Sequence, residues 1–327
     1  MKTMDIKEFQ NIKIGNAENA EAGTGCTVII SESGMRAGLD VRGGGPASRE
    51  SELLKPMAAA EGIHGVVLGG GSAYGLDAAG GVMQYLEEQG IGFDVGIAKV
   101  PLVCQSDIFD LTVADATVRP DKAMGYEACK NAYAGNYQDG NYGAGTGATV
   151  GKLKGMDYCM KSGIGSYAVQ VGDLQLGAIV VVNSLGDIYD FETGKKIAGM
   201  LAEDRISFED SEEFLYRSTE VHDNKFVGNT TIGAIITNAR FDKSQLCKIA
   251  AMTHNGYARS ICPVHTTADG DSIYALSVGE VSADFDMVGT LAAKVMSGAI
   301  TKAVKSARQA YGYPAYEDIA SKKADGE

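Results

Sequence analysis

The stretch Gly228-Asn229-Thr230-Thr231-Ile232-Gly233-Ala234-Ile235-Ile236-Thr237 limits what this chain can fold into more than any other. From Thr231 it is a run of β-branched and small apolar residues, the pattern of a buried strand, and it is entered through a Gly-Asn turn. A threonine at the mouth of such a strand has its hydroxyl held rigidly. Two readings of Asn229-Thr230 stand side by side. In one it is an ordinary turn feeding a strand. In the other the Asn229–Thr230 bond cuts itself, so that Thr230 begins a new chain and its α-amine, with a reference pKa of about 7.7 to 8.0, serves as base for its own hydroxyl.

Length and charge narrow the classes. At 327 residues the chain has room for two domains or one large α/β unit, and 43 glycines thread its core with tight turns. A net charge of −13 argues against nucleic acid or an anionic membrane as partner; small neutral or cationic substrates fit better. The six cysteines, at 26, 104, 129, 159, 247 and 262, lie mostly in apolar runs without a Cys-x-x-Cys pair, which suits buried thiols rather than a disulfide frame or zinc site. His254 and His265 show no metal-ligand spacing, so neither a metal nor another cofactor is implied. The N-terminus lacks an apolar signal region and no apolar span of about 18 residues occurs, so the chain reads as cytoplasmic.

In chain order, Asn11–Ile14, Gly25–Ser31 and Met35–Val41 read as short strands, followed by a loop at Arg42-Gly43-Gly44-Gly45-Pro46. His64–Leu68 reads as a strand running through Gly69-Gly70-Gly71-Ser72-Ala73-Tyr74 into a small-residue helix ending near Glu88, without the glycine spacing of a phosphate loop. Gly92–Ile97 and Val100–Val103 read as strands, and Gln105–Leu111 as a loop whose acids, Asp107 and Asp110, are solvated or face a pocket. A helix is expected over Pro120–Ala132. The glycine-rich Gly140–Lys152 stretch carries only a weak dinucleotide-type match. Gly163–Asn183 predicts two long strands about the turn Gly172-Asp173, delivering Asn183 at the end of the second, where an amide is a turn residue or a donor for a developing oxyanion. Thr193–Lys225 is charged and reads as a mobile linker.

After Thr230 come a strand to Thr237, a helix over Asp242–Tyr257, the turn Asp269-Gly270-Asp271, a strand over Ser272–Val278 and a helix over Ala283–Ala307, in layers of helix and sheet. Asp269-Gly270-Asp271 is either a plain turn or, if it lies beside Thr230, a pair of carboxylates that hold and polarise the new amine and hydroxyl.

Four motifs spread over the chain carry a resemblance: Gly-Gly-Gly-Ser-Ala-Tyr-Gly-Leu-Asp-Ala-Ala from Gly69, Gly-Ala-Gly-Thr-Gly-Ala-Thr-Val-Gly-Lys from Gly143, Asn-Thr-Thr-Ile-Gly from Asn229, and His-Thr-Thr-Ala-Asp-Gly-Asp from His265. Together they resemble the DmpA aminopeptidase family of self-processing N-terminal-nucleophile hydrolases, and within it the nylon-oligomer (6-aminohexanoate oligomer) hydrolase branch. The resemblance implies an αββα sandwich, two central sheets between helices in the DmpA/ornithine acetyltransferase-like α/β fold, with residues 1–327 as one domain. It implies cleavage into an α chain, 1–229, and a β chain, 230–327, assembled as a homo-oligomer, a tetramer of αβ units. It puts the nucleophile on Thr230, the two accompanying acids on Asp269 and Asp271, and the lysine and asparagine near the oxyanion on Lys152 and Asn183. Ser72, Tyr74 and Tyr142, within or beside these motifs, are the candidate substrate contacts. The aminopeptidase branch has serine as nucleophile, Ser-Gly-Glu in place of Asp-Gly-Asp, and an acid that captures the substrate's amino group; Asp107 or Asp110 could take that last part.

The function implied is hydrolysis of linear amides such as 6-aminohexanoate oligomers, the substrate a small amide or peptide. An aminopeptidase for small N-terminal or β-amino acids is the alternative, and a non-catalytic binding protein, suggested only by the glycine loops, is the remote one.

Overall fold

The continuous apolar runs become central strands with both faces covered, and the rest of the architecture is built outward from them. The computed structural model describes residues 1–217 and 228–324. Its main strands are β1 (Lys2–Met4), β2 (Lys13–Asn19), β3 (Thr24–Val41), β4 (Ala47–Arg49), β5 (Ile63–Gly69), β6 (Val103–Asp107), β7 (Ile164–Val171), β8 (Leu174–Asn183), β9 (Thr230–Ala239) and β10 (Ser272–Val281). Four long helices accompany them: α1 (Ala78–Glu88), α2 (Lys122–Tyr133), α3 (Lys243–Ser260) and α4 (Phe285–Ser306).

The strands run in the order β1-β7-β8-β9-β10-β3-β5-β6-β4, with β2 also on β3. The long β3 serves two sheets. Its second half, Arg36–Val41, pairs antiparallel with β10, while Thr24–Ile30 pairs with β2 and β5. The sequence suggested two short strands here because Ser31-Glu32-Ser33-Gly34 breaks the apolar pattern; the ladder with β5 shifts at that point and the strand carries on. Parallel pairs occur at β9/β10 and β5/β6, each joined through a helix, α3 and α1, as parallel strands require.

Three apolar layers follow. Alternation along β8 sends Val180 and Val182 toward Tyr257, Val295 and Met296 of α3 and α4, and sends Ile179 and Val181 into the space between the sheets with Ile29, Val66, Leu68 and Tyr274. The outer face of the second sheet packs Val28, Ile30 and Val67 on Val82, Leu86 and Cys129 of α1 and α2. The order is therefore helix, sheet, sheet, helix, the expected αββα sandwich. Small residues set the spacing within this helix layer: a Cβ on Gly81 would lie 1.8 Å from the Lys122 carbonyl, and one on Gly125 2.0 Å from that of Ala78, so α1 and α2 touch backbone to backbone.

Helix starts follow side-chain chemistry. Asp121, Asp242 and Asp284 each accept a backbone N–H from the first turn, and Asp242 with Gln245 completes a capping box. The expected strands over Gly92–Ile97 and Val100–Val103 are corrected: Phe93–Asp94 and Lys99–Val100 form a small exposed hairpin, and the buried strand β6 starts at Val103. The expected linker is in part folded, with a strand at Lys196–Ala198 and a short helix at Ser211–Arg217; its last residues, Ser218–Lys225, lie outside the described residues, as do Phe226 and Val227. None of the described helices is long and apolar enough to cross a membrane.

Candidate active site

Thr230 is the first residue of β9, and the alternation that sends Ile232, Ala234 and Ile236 between the sheets points its side chain the same way. The residue is buried, and its hydroxyl donates to the Asn229 carbonyl. On one side β9 pairs antiparallel with β8, which sets Asn183 opposite Thr230. On the other side it pairs in parallel with β10 at Ile232↔Ser272, and the same register reappears as a bridge at Asn229↔Asp269. Between these points the ladder opens around Thr230. The Thr231 N–H goes to the Asp271 carboxylate at 2.7 Å, and the Gly270 N–H donates to the Asn229 carbonyl at 3.1 Å.

Lys152 and Asn183 meet at one oxygen. Lys152 Nζ donates to the Gly228 carbonyl at 2.6 Å, and Asn183 Nδ2 donates to the same oxygen at 3.1 Å. The lysine's other protons go to Asn183, at 2.8 Å to Oδ1 and 3.2 Å to the carbonyl oxygen. Asn183 is fixed further by the Thr149 N–H on its Oδ1 at 3.0 Å and by its own donation to the Phe109 carbonyl at 3.0 Å. Burial pulls the Lys152 ammonium down to about 7, against the opposing pull of Cys159, Asp269 and Asp110.

The Asp269-Gly270-Asp271 loop is locked from two sides. Asp269 Oδ2 accepts both the N–H and the hydroxyl of Thr266 at 2.7 Å, and the Asp271 carboxylate also meets the His265 ring nitrogen Nδ1 at 2.8 Å. The Arg42–Pro46 loop lies directly on it: Gly45 N–H donates to the Asp269 carbonyl and Arg42 N–H to that of Asp271, both at 2.9 Å. A Cβ on Gly43 would stand 2.3 Å from the Asp269 carbonyl oxygen, so only glycine allows this contact. Burial, then the neighbouring Asp271, raises the Asp269 carboxyl to about 6.

The remaining candidates separate. Asp107 and Asp110, read as loop acids, are both buried, because β6 carries the first and the Gly69–Gly71 and Gly147 turns close over the second. Asp107 alternates with Val103 toward the α1 side and accepts from Gln105 at 2.7 Å; burial raises its pKa well above the usual range. Asp110 accepts from the Thr24 hydroxyl and the Gly71 N–H, both at 2.7 Å, and burial lifts it to about 6. Ser72 is half-buried at positive φ, and Tyr74 is exposed beneath the Arg119 guanidinium, 4.1 Å from its ring centroid. Tyr142 lines a separate cleft of about 190 Å³ with Asn16, Glu127 and Asn131. A larger cavity, about 1000 Å³, is lined by Met35, Arg36, His64, Phe93, Ser277 and Glu280. It begins five residues along β10 from Ser272, about 16 Å from the Thr230 end.

Sequence reading missed His265, Thr266, Gly270 and the buried Lys161. The last donates to the carbonyls of Gly145, Ala148 and Ser162, pinning the loop that presents Thr149 and Lys152. The His-Thr-Thr-Ala-Asp-Gly-Asp string held the first three.

A sequence profile described as Peptidase family S58 matches residues 5–316. The chain belongs to peptidase family S58. This is the DmpA-type family, and its members hydrolyse amide bonds. Among relatives of this S58 chain, an uncharacterized aminopeptidase of Mycobacterium leprae is 34% identical, covering 95% of this chain and 92% of that protein. A 6-aminohexanoate-oligomer endohydrolase of Kocuria sp. (strain KY2) is 31% identical, with 91% and 85% covered. Of solved structures, the L-aminopeptidase D-Ala-esterase/amidase of Ochrobactrum anthropi, described as a variant of the Ntn hydrolase fold, superposes with a TM-score of 0.70 at 16% identity over 98% of this chain and 94% of that one. A β-aminopeptidase of Burkholderia sp. gives 0.66 at 18% identity over 98% and 93%. The S58 chain thus shares their fold.

Proposed function

We propose that this S58 hydrolase is made by self-cleavage between Asn229 and Thr230 and works with the freed Thr230 as nucleophile on linear amides of the ω-amino-acid oligomer class. The observation that carries the reading is the Thr230 hydroxyl, buried and donating to the carbonyl of the very bond that would be cut, at the opening in the β9/β10 ladder. In maturation the hydroxyl oxygen attacks that carbonyl, the proton passes to the Thr230 nitrogen as the C–N bond breaks, and water opens the ester. The departing segment takes the Gly228 carbonyl with it and frees Lys152 and Asn183. In turnover the same oxygen attacks a substrate amide, the α-amine carries the proton to the leaving nitrogen, and water releases the acyl group. Lys152 and Asn183, two donors aimed at one oxygen, suit the developing oxyanion, and Asp269 with Asp271 set the field around the amine.

The substrate class is taken from the endohydrolases at 31 to 32% identity. The relatives named aminopeptidases keep an exopeptidase reading in view. Against it, both acids are closed off from solvent: Asp110 is engaged by Thr24 and Gly71, and Asp107, whose Oδ1 accepts from Gln105 while its Oδ2 has no hydrogen-bond partner, is 1% exposed. The test is hydrolysis of a 6-aminohexanoate trimer with its amino end free or acetylated. Cleavage of both is expected; loss of cleavage on acetylation would establish the aminopeptidase instead. Light scattering at native conditions reads the expected tetramer of αβ units, and a mass of 34.2 kDa would dismiss it.

A further inference from the structure

The two sets of donors around Thr230 serve different oxygens. The scissile Asn229 carbonyl oxygen accepts the Gly270 N–H at 3.1 Å, whereas Lys152 Nζ and Asn183 Nδ2 are both occupied by the Gly228 carbonyl one residue upstream, at 2.6 and 3.1 Å. We infer that the backbone N–H of Gly270 is the oxyanion donor of the self-cleavage step, and that the Lys152–Asn183 pair becomes the oxyanion donor of turnover only after cleavage removes the Gly228 carbonyl. The inference rests on the self-processing reading above.

Three features support this assignment. The donor is already in place on the oxygen that will carry the charge, within ordinary hydrogen-bond distance, so little reorganisation accompanies attack. It is held there by covalent neighbours that are themselves fixed: Asp269 by Thr266, and Asp271 by the Thr231 N–H and His265. Position 270 also tolerates only glycine, since a Cβ would lie 2.8 Å from Thr230 Oγ1, against the attacking atom. As the Thr230 oxygen bonds to the Asn229 carbon, the carbonyl π electrons move onto the oxygen facing Gly270 N–H. When the intermediate collapses, the bond to the Thr230 nitrogen breaks and that nitrogen keeps the proton from the hydroxyl. Meanwhile Lys152 and Asn183 hold the Gly228 carbonyl and act on no reacting atom.

A side-chain change at 270 would disturb the hydroxyl as well, so the test is a backbone one: glycolic acid in place of Gly270 in the full chain, which replaces the N–H by an ester oxygen and adds no side chain. Processing is followed by denaturing gel and mass spectrometry. It is expected to slow by two to three decades, while lactic acid in place of Ala268, whose N–H goes to the Thr266 hydroxyl in the same loop, leaves processing within about threefold. A second variant keeps the idea exposed even if the ester chain folds poorly. Asn183→Ala is expected to process within about tenfold of the parent yet lose about a hundredfold or more in turnover. Parental processing in the glycolate chain, or equal losses of processing and turnover in Asn183→Ala, would overturn the division of donors. If the parent chain itself never processes, the self-cleavage reading fails instead.

Discussion

At the scale of single residues, Thr230, Asn183 and Asp269 have separable effects. Thr230→Ala is expected to abolish processing and amide hydrolysis together, and Thr230→Ser to retain processing; hydrolysis by the alanine chain would reject the nucleophile. In the proposed mechanism, loss of the Asn183 amide removes one donor to the oxyanion, a loss of about 2.7 to 4 kcal/mol in transition-state binding, so kcat of Asn183→Ala should drop by two to three decades in steady-state assays. In the same proposed mechanism the Asp269 carboxyl, raised to about 6 by burial and Asp271, must be ionised to stabilise the Thr230 ammonium. Hydrolysis should therefore fall as pH drops through about 6, and Asp269→Asn should remove that limb from the pH profile. Of the candidate site, Thr230, Asp269, Asp271 and Lys152 were legible as motif positions and Asn183 as the end of a buried strand. Gly270 and Lys161 were not, because a backbone N–H leaves no mark in side-chain chemistry and a buried lysine reads like an exposed one. Asp107 and Asp110 were indistinguishable in sequence, since only the strand register shows one turned toward α1 and the other closed under the glycine turns.

Between elements, the site is a product of pairing. β8 delivers Asn183, β9 delivers Thr230 and β10 is preceded by the acids, so the chemistry stands where three central strands start or end together. The apolar runs of β8 and β9 were plain because burial on both faces leaves no polar alternation. The β3 strand and the exposed hairpin at Phe93–Val100 were misread, because a bulge and a two-residue ladder leave too little periodicity. The Arg42–Pro46 loop was recognised as loop, but its seat against the acids depends on contacts far apart in sequence. Gly43→Ala should displace the Asp269–Asp271 loop, since its Cβ meets backbone at 2.3 and 2.4 Å. We expect a stability loss of about 1 to 3 kcal/mol in urea titration and a larger proportional loss of processing, measured by its half-time. Unchanged processing would show that the loop's seat does not matter.

For the whole molecule, the buried ionisable groups predict an unusual pH profile of stability. Asp110 and Asp269, lifted to about 6, and Asp107, raised well above its usual range, keep a proton in the folded state that the unfolded chain has already released; together they outweigh the opposite contribution of buried His254, pulled down to about 3, and lower stability as pH rises from about 4 to 6. Lys152 and Lys161, both pulled down to about 7 by burial, act the other way: above that pH the folded chain binds fewer protons, and stability rises toward the lysines' ordinary range. The buried thiols of Cys104, Cys129 and Cys159, raised to about 12, 12 and 11, lower it again above about 9. Urea midpoints should therefore pass through a minimum near pH 6 to 7 and a maximum near 8 to 9; a monotonic curve would mean these groups are not buried in charge-sensitive positions. The central claim, that the chain cuts itself before Thr230, is tested most directly by denatured mass spectrometry of the freshly purified protein. Two species, one ending at Asn229 and one beginning at Thr230, are predicted; a single intact chain of 34.2 kDa that nevertheless hydrolyses amides would contradict it.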